Sequence, residues 1–185
     1  DIASGSYELG KHGEMILNGG MTPITGVVGI GNNFKSTIAD YFCFTAMSRF
    51  TMHPQSYGMK YDTEMNVTEV RQSQLAERVE GLEGDKNPVE NGRWIITDKT
   101  RYMGNEWFEK FKDYVKQKTA NAKALEINTP FLNRDGSTLK VLIPTPTAVD
   151  SFTEFETDDV ATIRNDNELA ESGGNTAFMR QGLSK

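Results

Sequence analysis

The sequence predicts an α/β fold in which helices flank a mostly parallel central sheet, and three observations lead to this prediction. Short apolar runs typical of buried strands alternate along the chain with longer segments of helical periodicity. A glycine-rich turn joins the first apolar run directly to an amphipathic segment, which makes a strand–turn–helix unit. The length of 185 residues suits one domain, so we expect residues 1–185 to form a single domain.

The composition excludes several classes of protein. Hydrophobic residues make up 37% of the chain and charged residues 25%, which favours a packed core over disorder. Cys43 is the single cysteine, so a disulfide scaffold is excluded and a reducing, cytoplasmic compartment is favoured. No apolar run approaches the roughly 18 residues of a membrane span. The formal net charge of −6 argues against binding nucleic acid through bulk charge alone.

The elements follow from local patterns. Ile38, Phe42, Ala46 and Phe50 recur at four-residue intervals, with Ala39, Cys43 and Met47 beside them, and these residues define the expected apolar face of the first helix. Because the chain begins at Asp1 and its last ten residues have a helical pattern, we expect a polypeptide truncated after residue 185. In order, the patterns predict a strand over 24–30, a helix from Lys35, a strand over 58–64, a helix over 68–79, a loop over 81–92, a strand over 93–98 and an amphipathic helix over 105–123.

The last strand admits two explanations. The apolar run 139–143 has the composition of a strand that extends toward Asp150, but Pro144 and Pro146 interrupt it. Either the strand that ends at Asp150 begins only at Thr147, or the apolar run is a separate element.

The strongest chemical pattern is a phosphate-binding loop. The standard motif has a glycine, four residues and then Gly-Lys-Ser/Thr, and Phe34 stands here in place of the second glycine. Backbone N–H groups at the start of the following helix would face the phosphates of ATP, and Lys35 would reach the outer ones. The Ser36 hydroxyl would bind Mg²⁺, which prefers oxygen ligands. The alternative is a glycine-rich turn that matches by chance. The predicted nucleotide-binding residues are Gly29, Ile30, Gly31, Asn32, Asn33, Phe34, Lys35, Ser36 and Thr37.

Three upstream segments fit this loop in order and spacing: Ile2-Ala3-Ser4-Gly5, Leu17-Asn18-Gly19-Gly20 and Thr22-Pro23-Ile24-Thr25. With them, the chain resembles the ATPase core of the RecA superfamily. It is most similar to phage recombinases of the UvsX type, whose loop also has Phe-Lys-Ser in place of Gly-Lys-Ser.

This resemblance implies roles for two carboxylates. Glu64 closes the strand that ends in Asp62-Thr63-Glu64 and would orient the water that attacks the γ-phosphate, with Lys35 as its catalytic partner. Asp150, in Val149-Asp150-Ser151, would hold Mg²⁺ together with Ser36. In the alternative, Asp62 and Glu64 face solvent or Asp62 caps a turn, and Asp150 belongs to a surface loop.

The resemblance also implies that the chain binds single-stranded DNA and associates with itself into a filament. The segment expected to contact DNA, 154–174, contains seven acidic residues and one base, Arg164. A plain surface insertion explains it equally well, because acids repel phosphate. Arg180, in the helix-like segment that follows, is a second candidate DNA contact. The bases and aromatic residues of 101–123 fit a core-facing helix better than a DNA-binding surface.

The resemblance therefore implies an ATP-hydrolysing DNA recombinase of the phage type that acts in the cytoplasm, which is the host cytoplasm if a phage encodes it. One alternative is a hexameric, ring-forming replicative helicase of the DnaB kind, although such helicases keep the glycine that Phe34 replaces. Another is a structural or accessory protein that has the same fold and hydrolyses nothing, which the prolines before Asp150 favour.

Overall fold

The structure is a computed structural model that describes residues 2–3, 7–9, 11–12, 15–17, 20–21, 24–30, 33–98, 100 and 104–151. Its helices are α1 (Lys35–Ser48), α2 (Glu69–Ala76), α3 (Gly104–Ala120) and α4 (Ala122–Leu125). Its strands are β1 (Ile2–Ala3), β2 (Tyr7–Leu9), β3 (Met15–Leu17), β4 (Gly20–Met21), β5 (Gly58–Asp62), β6 (Trp94–Asp98), β7 (Glu126–Leu132), β8 (Thr138–Leu142) and β9 (Thr147–Asp150). None of the described helices is long and apolar enough to cross a membrane.

A three-stranded parallel sheet lies at the centre, with β5 between β6 and β9. In its register, Asp62 at the end of β5 lies opposite Asp98 on one side and Asp150 on the other. The carboxyl ends of all three strands therefore meet at one edge of the sheet. The predicted α/β fold with parallel strands and flanking helices is confirmed at this level. The N-terminal strands form two separate antiparallel pairs, β1 with β4 and β2 with β3.

Helices lie on both faces of this sheet. Successive residues of a strand point to opposite faces, and on β5 Lys60 bonds Asp40 of α1 while Tyr61 stacks on Trp107 of α3. Phe111 of α3 also stacks on this tryptophan, with ring centroids 5.4 Å apart. The larger core lies on the α1 side and comprises Cys43, Phe44, Met47, Ala76, Val79, Leu82, Trp94 and Ala148.

Helix α1 begins at Lys35 as predicted, but the predicted buried face is only partly correct. Ala46 is buried, whereas Ile38 is 41% exposed. Cys43 and Met47 of the predicted face are buried as expected, and with Asp40 and Phe44, which were not predicted, they form a strip at the i, i+3, i+4, i+7 spacing of a helix face. An acid belongs to this strip because a buried lysine of β5 neutralises it.

The predicted strand over 24–30 is wrong. This segment has no regular secondary structure, and Val28 is 96% exposed. A strand requires a neighbour that pairs with its backbone groups, and none of the described strands pairs with this segment. The β-branched composition gives this segment a high propensity for strand structure, but none of the described strands pairs with it, so no strand forms here.

The remaining predicted elements are confirmed with small shifts of their ends. The strand after the first helix ends at Asp62, α2 is shorter than the predicted 68–79, and the 81–92 segment is a loop with one 3₁₀ turn at Gly84–Lys86. Thr68 is the N-cap of α2, and its side chain accepts the backbone N–H of Arg71. Helix α3 covers most of the predicted 105–123.

The apolar run 139–143 belongs to a hairpin that is separate from the parallel sheet. Strand β8 pairs antiparallel with β7, and β9 begins only at Thr147. Both explanations that the sequence left open are therefore correct: the strand that ends at Asp150 begins at Thr147, and the apolar run is a separate element. No pattern predicted β7, because Pro130 and alternating polar residues conceal a strand that is stabilised by its partner.

Candidate functional site

The turn before α1 has a backbone conformation that suits glycine. Phe34 adopts φ 54° and ψ 20°, in the left-handed region, and the helix begins at the next residue, Lys35. For a residue with a side chain this conformation costs about 1–2 kcal/mol relative to the right-handed one. Phe34 occupies the position of the standard motif's second glycine, so the turn keeps a glycine-like conformation without glycine.

The N-terminus of α1 presents backbone donors. Among the described residues no side chain caps this end, and the first turn of the helix contains no acidic residue. The first backbone hydrogen bond of the helix runs from the Ile38 N–H to the Phe34 carbonyl at 2.9 Å. The backbone N–H groups that precede Ile38, at Lys35, Ser36 and Thr37, lie at the positive end of the helix dipole, where anions are stabilised.

Gly29 and Ile30, which precede this helix, lie beside the Lys35 side chain. Its Nζ donates to the carbonyl oxygen of Ile30 at 2.8 Å. A Cβ atom at Gly29 would lie 3.6 Å from Lys35 Cδ. The ammonium is therefore positioned beside the loop that carries the predicted phosphate-binding amides. Gly31 and Asn32 of this loop lie outside the described residues.

A buried ionic cluster lies beneath α1. The Lys60 ammonium donates to both carboxylate oxygens of Asp40 at 2.8 Å and to Asp150 Oδ2 at 3.3 Å. The side chain of Lys60 is fully buried, that of Asp40 nearly so, and that of Asp150 is 13% exposed. The cluster links α1, β5 and β9 and has a net charge of −1.

A cavity of about 280 Å³ opens between the N-terminal turn of α1 and helix α2. Ser36, Thr37, Asp40 and Lys60 line one side of it, and Arg71 and Gln72 of α2 line another. The Arg71 guanidinium donates to Thr37 Oγ1 at 3.0 Å. Lys35, Glu64 and Asp150 are not among its lining residues, so this cavity gathers only part of the predicted site.

Gln72, which lines that cavity, has one side-chain oxygen without a described partner. Its Nε2 donates to Asp40 Oδ2 at 2.6 Å, whereas its buried Oε1 has no hydrogen-bond partner in the part of the chain that the structure describes. An orphaned buried acceptor is costly and rare in native proteins. A ligand group or water that donates a hydrogen bond would satisfy it.

The two predicted carboxylates occupy different environments at the carboxyl edge of the sheet. Glu64 is exposed, and its Oε2 accepts the side-chain amide of Asn66 at 3.0 Å. Asp62 is buried, and its carboxylate accepts the backbone N–H groups of the turn that follows β5. The alternative in which Asp62 caps a turn is therefore correct.

Thr63 ties the end of β5 to the end of β9. Its Oγ1 donates to the carbonyl oxygen of Asp150 at 2.8 Å and accepts the N–H of Ser151 at 2.6 Å. The backbone N–H of Thr63 also donates to the Asp150 carbonyl at 2.7 Å. These bonds to Thr63 fix the backbone at Asp150, and Asp150 is the last residue of β9. Asp150 therefore does not belong to a surface loop.

Among the described residues, no group of three or more His, Cys, Asp or Glu side chains forms a metal-binding cluster. The donor set proposed for Mg²⁺, Ser36 and Asp150, contains two protein oxygens. This set fits Mg²⁺ bound mainly through phosphate and water, because Mg²⁺ commonly takes only one or two protein carboxylates.

The other sequence candidates fall elsewhere. Arg164 and Arg180 lie outside the described residues. On α3, Trp107 is buried while Lys112 and Lys116 are exposed and pair with acids of the same helix, which supports the core-facing interpretation. Cys43 is buried, and burial, followed by the nearby Asp40, raises the pKa of its thiol to about 12.

Sequence reasoning missed Asp40, Lys60 and Gln72. The available signal was an acid on the apolar strip of α1 together with a lysine inside a strand flanked by apolar residues. Buried charges require partners, so Asp40 and Lys60 each indicated that an opposite charge lay nearby, whereas no sequence signal indicated Gln72.

The chain matches no protein-family model, and comparison with curated proteins and with solved structures gives no significant match.

Proposed function

We propose that this chain binds a magnesium–nucleoside triphosphate at the N-terminus of α1 and hydrolyses it. The observation that carries the proposal is the turn at Phe34, which has a glycine-like conformation directly before an uncapped helix that begins Lys35-Ser36-Thr37. Gln72 supports it, because this residue lines the cavity that Ser36 and Thr37 also line, and its buried Oε1 has no hydrogen-bond partner among the described residues.

Under this proposal, each group of site residues has a distinct role in binding or hydrolysis. Backbone amides over 29–37 and the Lys35 ammonium hold the phosphates, and the ammonium exchanges its bond to Ile30 for phosphate oxygens. Ser36 and Asp150 hold Mg²⁺, which when bound neutralises phosphate charge in the transition state. Glu64 orients the attacking water. Phosphoryl transfer depends mainly on such positioning and charge stabilisation.

At the finer level, we propose an ATP-dependent recombinase that forms a filament on single-stranded DNA. The support is the sequence resemblance to RecA-type proteins together with the parallel α/β sheet, whose carboxyl edge carries Glu64 and Asp150. Arg164 and Arg180 are the proposed DNA contacts. A ring of the helicase kind is the competing assembly, and electron micrographs with DNA and nucleotide distinguish a ring from a filament.

A second candidate is a protein that has this fold and hydrolyses nothing. One observation favours it: Asp150 is bonded to Lys60, and exposed Glu64 is bonded to Asn66, so both carboxylates have partners before any ligand is bound. Nucleotide binding without turnover would support this candidate.

The test measures ATP binding and turnover, with and without single-stranded DNA, across a range of salt concentrations. We expect Lys35→Ala to abolish turnover and weaken binding, because no other ammonium is bonded to this loop in the described residues. Lys112→Ala is the matched control, since it removes an exposed lysine that pairs with Glu109 on α3. Equal turnover in the Lys35→Ala variant and the wild type would refute the proposed site, and turnover that is independent of DNA and of salt would refute the recombinase assignment.

A further inference from the structure

Lys60 connects the two halves of the proposed site across the central strand. Its ammonium binds the carboxylates of Asp40 and Asp150. Asp40 lies about one and a half helical turns after the phosphate-binding turn. Asp150, on β9, is the acid proposed to hold the metal ion. A fully buried ammonium between two carboxylates is a demanding arrangement, because each charge pays a desolvation penalty that only the other charges offset. The cluster therefore holds α1, β5 and β9 in one relative position.

The two carboxylates of this cluster are not equivalent. Asp40 accepts three hydrogen bonds, since both of its oxygens bond Lys60 and one of them also accepts the Gln72 amide. Asp150 bonds Lys60 through Oδ2 alone, at the longer distance of 3.3 Å, and keeps some exposure. Asp40 lines the cavity beside α1 but is held by three hydrogen bonds, whereas Asp150 is the more exposed and less tightly bonded carboxylate of the cluster.

We propose that Lys60 is a positioning residue for Asp150 that makes divalent-metal binding depend on the nucleotide. Its ammonium orients the carboxylate and opposes the approach of a second cation, since like charges at short range repel in a poorly solvated site. A divalent cation then binds well only when the phosphates supply additional negative charge. This inference rests on the proposed function.

The experiment measures binding of Mn²⁺, a paramagnetic probe for the magnesium site, by electron paramagnetic resonance. Each protein is titrated alone and with the β,γ-imido analogue of ATP. The test variant is Asp40→Leu/Lys60→Met, which replaces the buried ion pair by apolar side chains of similar volume, a change that proteins often tolerate. Asp40→Asn/Lys60→Gln is the second variant, which keeps polar groups in place if the first does not fold. Lys112→Met is the matched control for loss of a lysine.

We expect wild type and Lys112→Met to bind Mn²⁺ at least about tenfold more tightly with the nucleotide analogue than without it. In the double variants, binding of Mn²⁺ alone should tighten about tenfold, so the dependence on nucleotide should largely disappear. In turnover assays, the half-saturating Mg²⁺ concentration should fall while kcat also falls, because Asp150 is no longer oriented. A merely structural role would not lower the metal requirement.

Two results overturn the inference in distinguishable ways. If the wild type binds the nucleotide analogue and a folded double variant has unchanged Mn²⁺ affinity, Lys60 does not control Asp150 and the proposed function stands. If the wild type binds neither the analogue nor Mn²⁺ in its presence, the proposed function fails and this inference fails with it.

Discussion

The carboxylate of Asp62 accepts the backbone N–H of Glu64 at 3.1 Å, so a buried acid sets the position of the exposed acid two residues later. The same oxygen accepts the N–H of Met65 at 3.0 Å, and the other oxygen accepts the N–H of Val67 at 2.9 Å. Asp62 thereby folds the turn between β5 and α2. The sequence motif Asp-Thr-Glu has one acid that shapes the backbone and one that faces outward.

Asp62→Ala should destabilise the protein by about 3 kcal/mol, because it leaves three backbone donors without their charged acceptor. Asp62→Asn should cost less, about 1 kcal/mol, since its amide oxygen still serves part of the turn. Urea denaturation measures both changes. A loss below about 1 kcal/mol for Asp62→Ala would show that water replaces the carboxylate at this turn.

Phe34→Gly should be more stable than Phe34→Ala by about 1 kcal/mol. Glycine adopts the left-handed conformation without strain, whereas alanine keeps the strain and loses the ring, which is 71% exposed. Comparing the two small residues separates the backbone effect from loss of the side chain. Thermal denaturation measures the difference, and an alanine variant as stable as the glycine variant would contradict the assigned backbone conformation.

Gly58→Ala should destabilise the protein by about 1–3 kcal/mol through overpacking. A Cβ atom at this position would lie 2.6 Å from both Met47 Sδ and Trp94 Cε3, in the core between α1 and the sheet. Gly26→Ala is the control, because none of the described residues has an atom within 4 Å of a Cβ at Gly26. Equal unfolding free energies for the two variants would show that the packing at Gly58 is looser than described.

The stability of the protein should fall at alkaline pH through Cys43. Its thiol has a pKa of about 12 in the folded chain against 9.0 for the ordinary group, so between these values only the unfolded chain loses the proton. The contribution is fully present below pH 9 and is lost as pH rises toward 12. Unfolding measured at several alkaline pH values for wild type and Cys43→Ala should show a smaller decline in the variant.

The same burial should protect Cys43 from thiol reagents. We expect slow labelling of the folded protein at pH 8 and rapid labelling in guanidinium chloride. Rapid stoichiometric labelling of the folded protein would place the thiol at the surface and remove the cause of the raised pKa.

Periodicity and turn chemistry predicted the helix from Lys35, the helix after Thr68, the strands that end at Asp62 and Asp98, and the amphipathic α3. These features depend on residues that are near one another along the chain, so a single sequence contains the necessary information. The glycine-rich turn before Lys35 was recognisable for the same reason, although Phe34 replaces its glycine.

Pairing and charge burial were decided only by the tertiary structure. Strand structure is not easier to predict from sequence for β7 than for the β-branched run 24–30. Of these two segments, however, only β7 pairs with another described strand. Lys60 meets Asp40 across 20 residues of sequence and Asp150 across 90. The free energy of a strand or of a buried charge depends on its spatial neighbours, and the order of residues does not contain those distances.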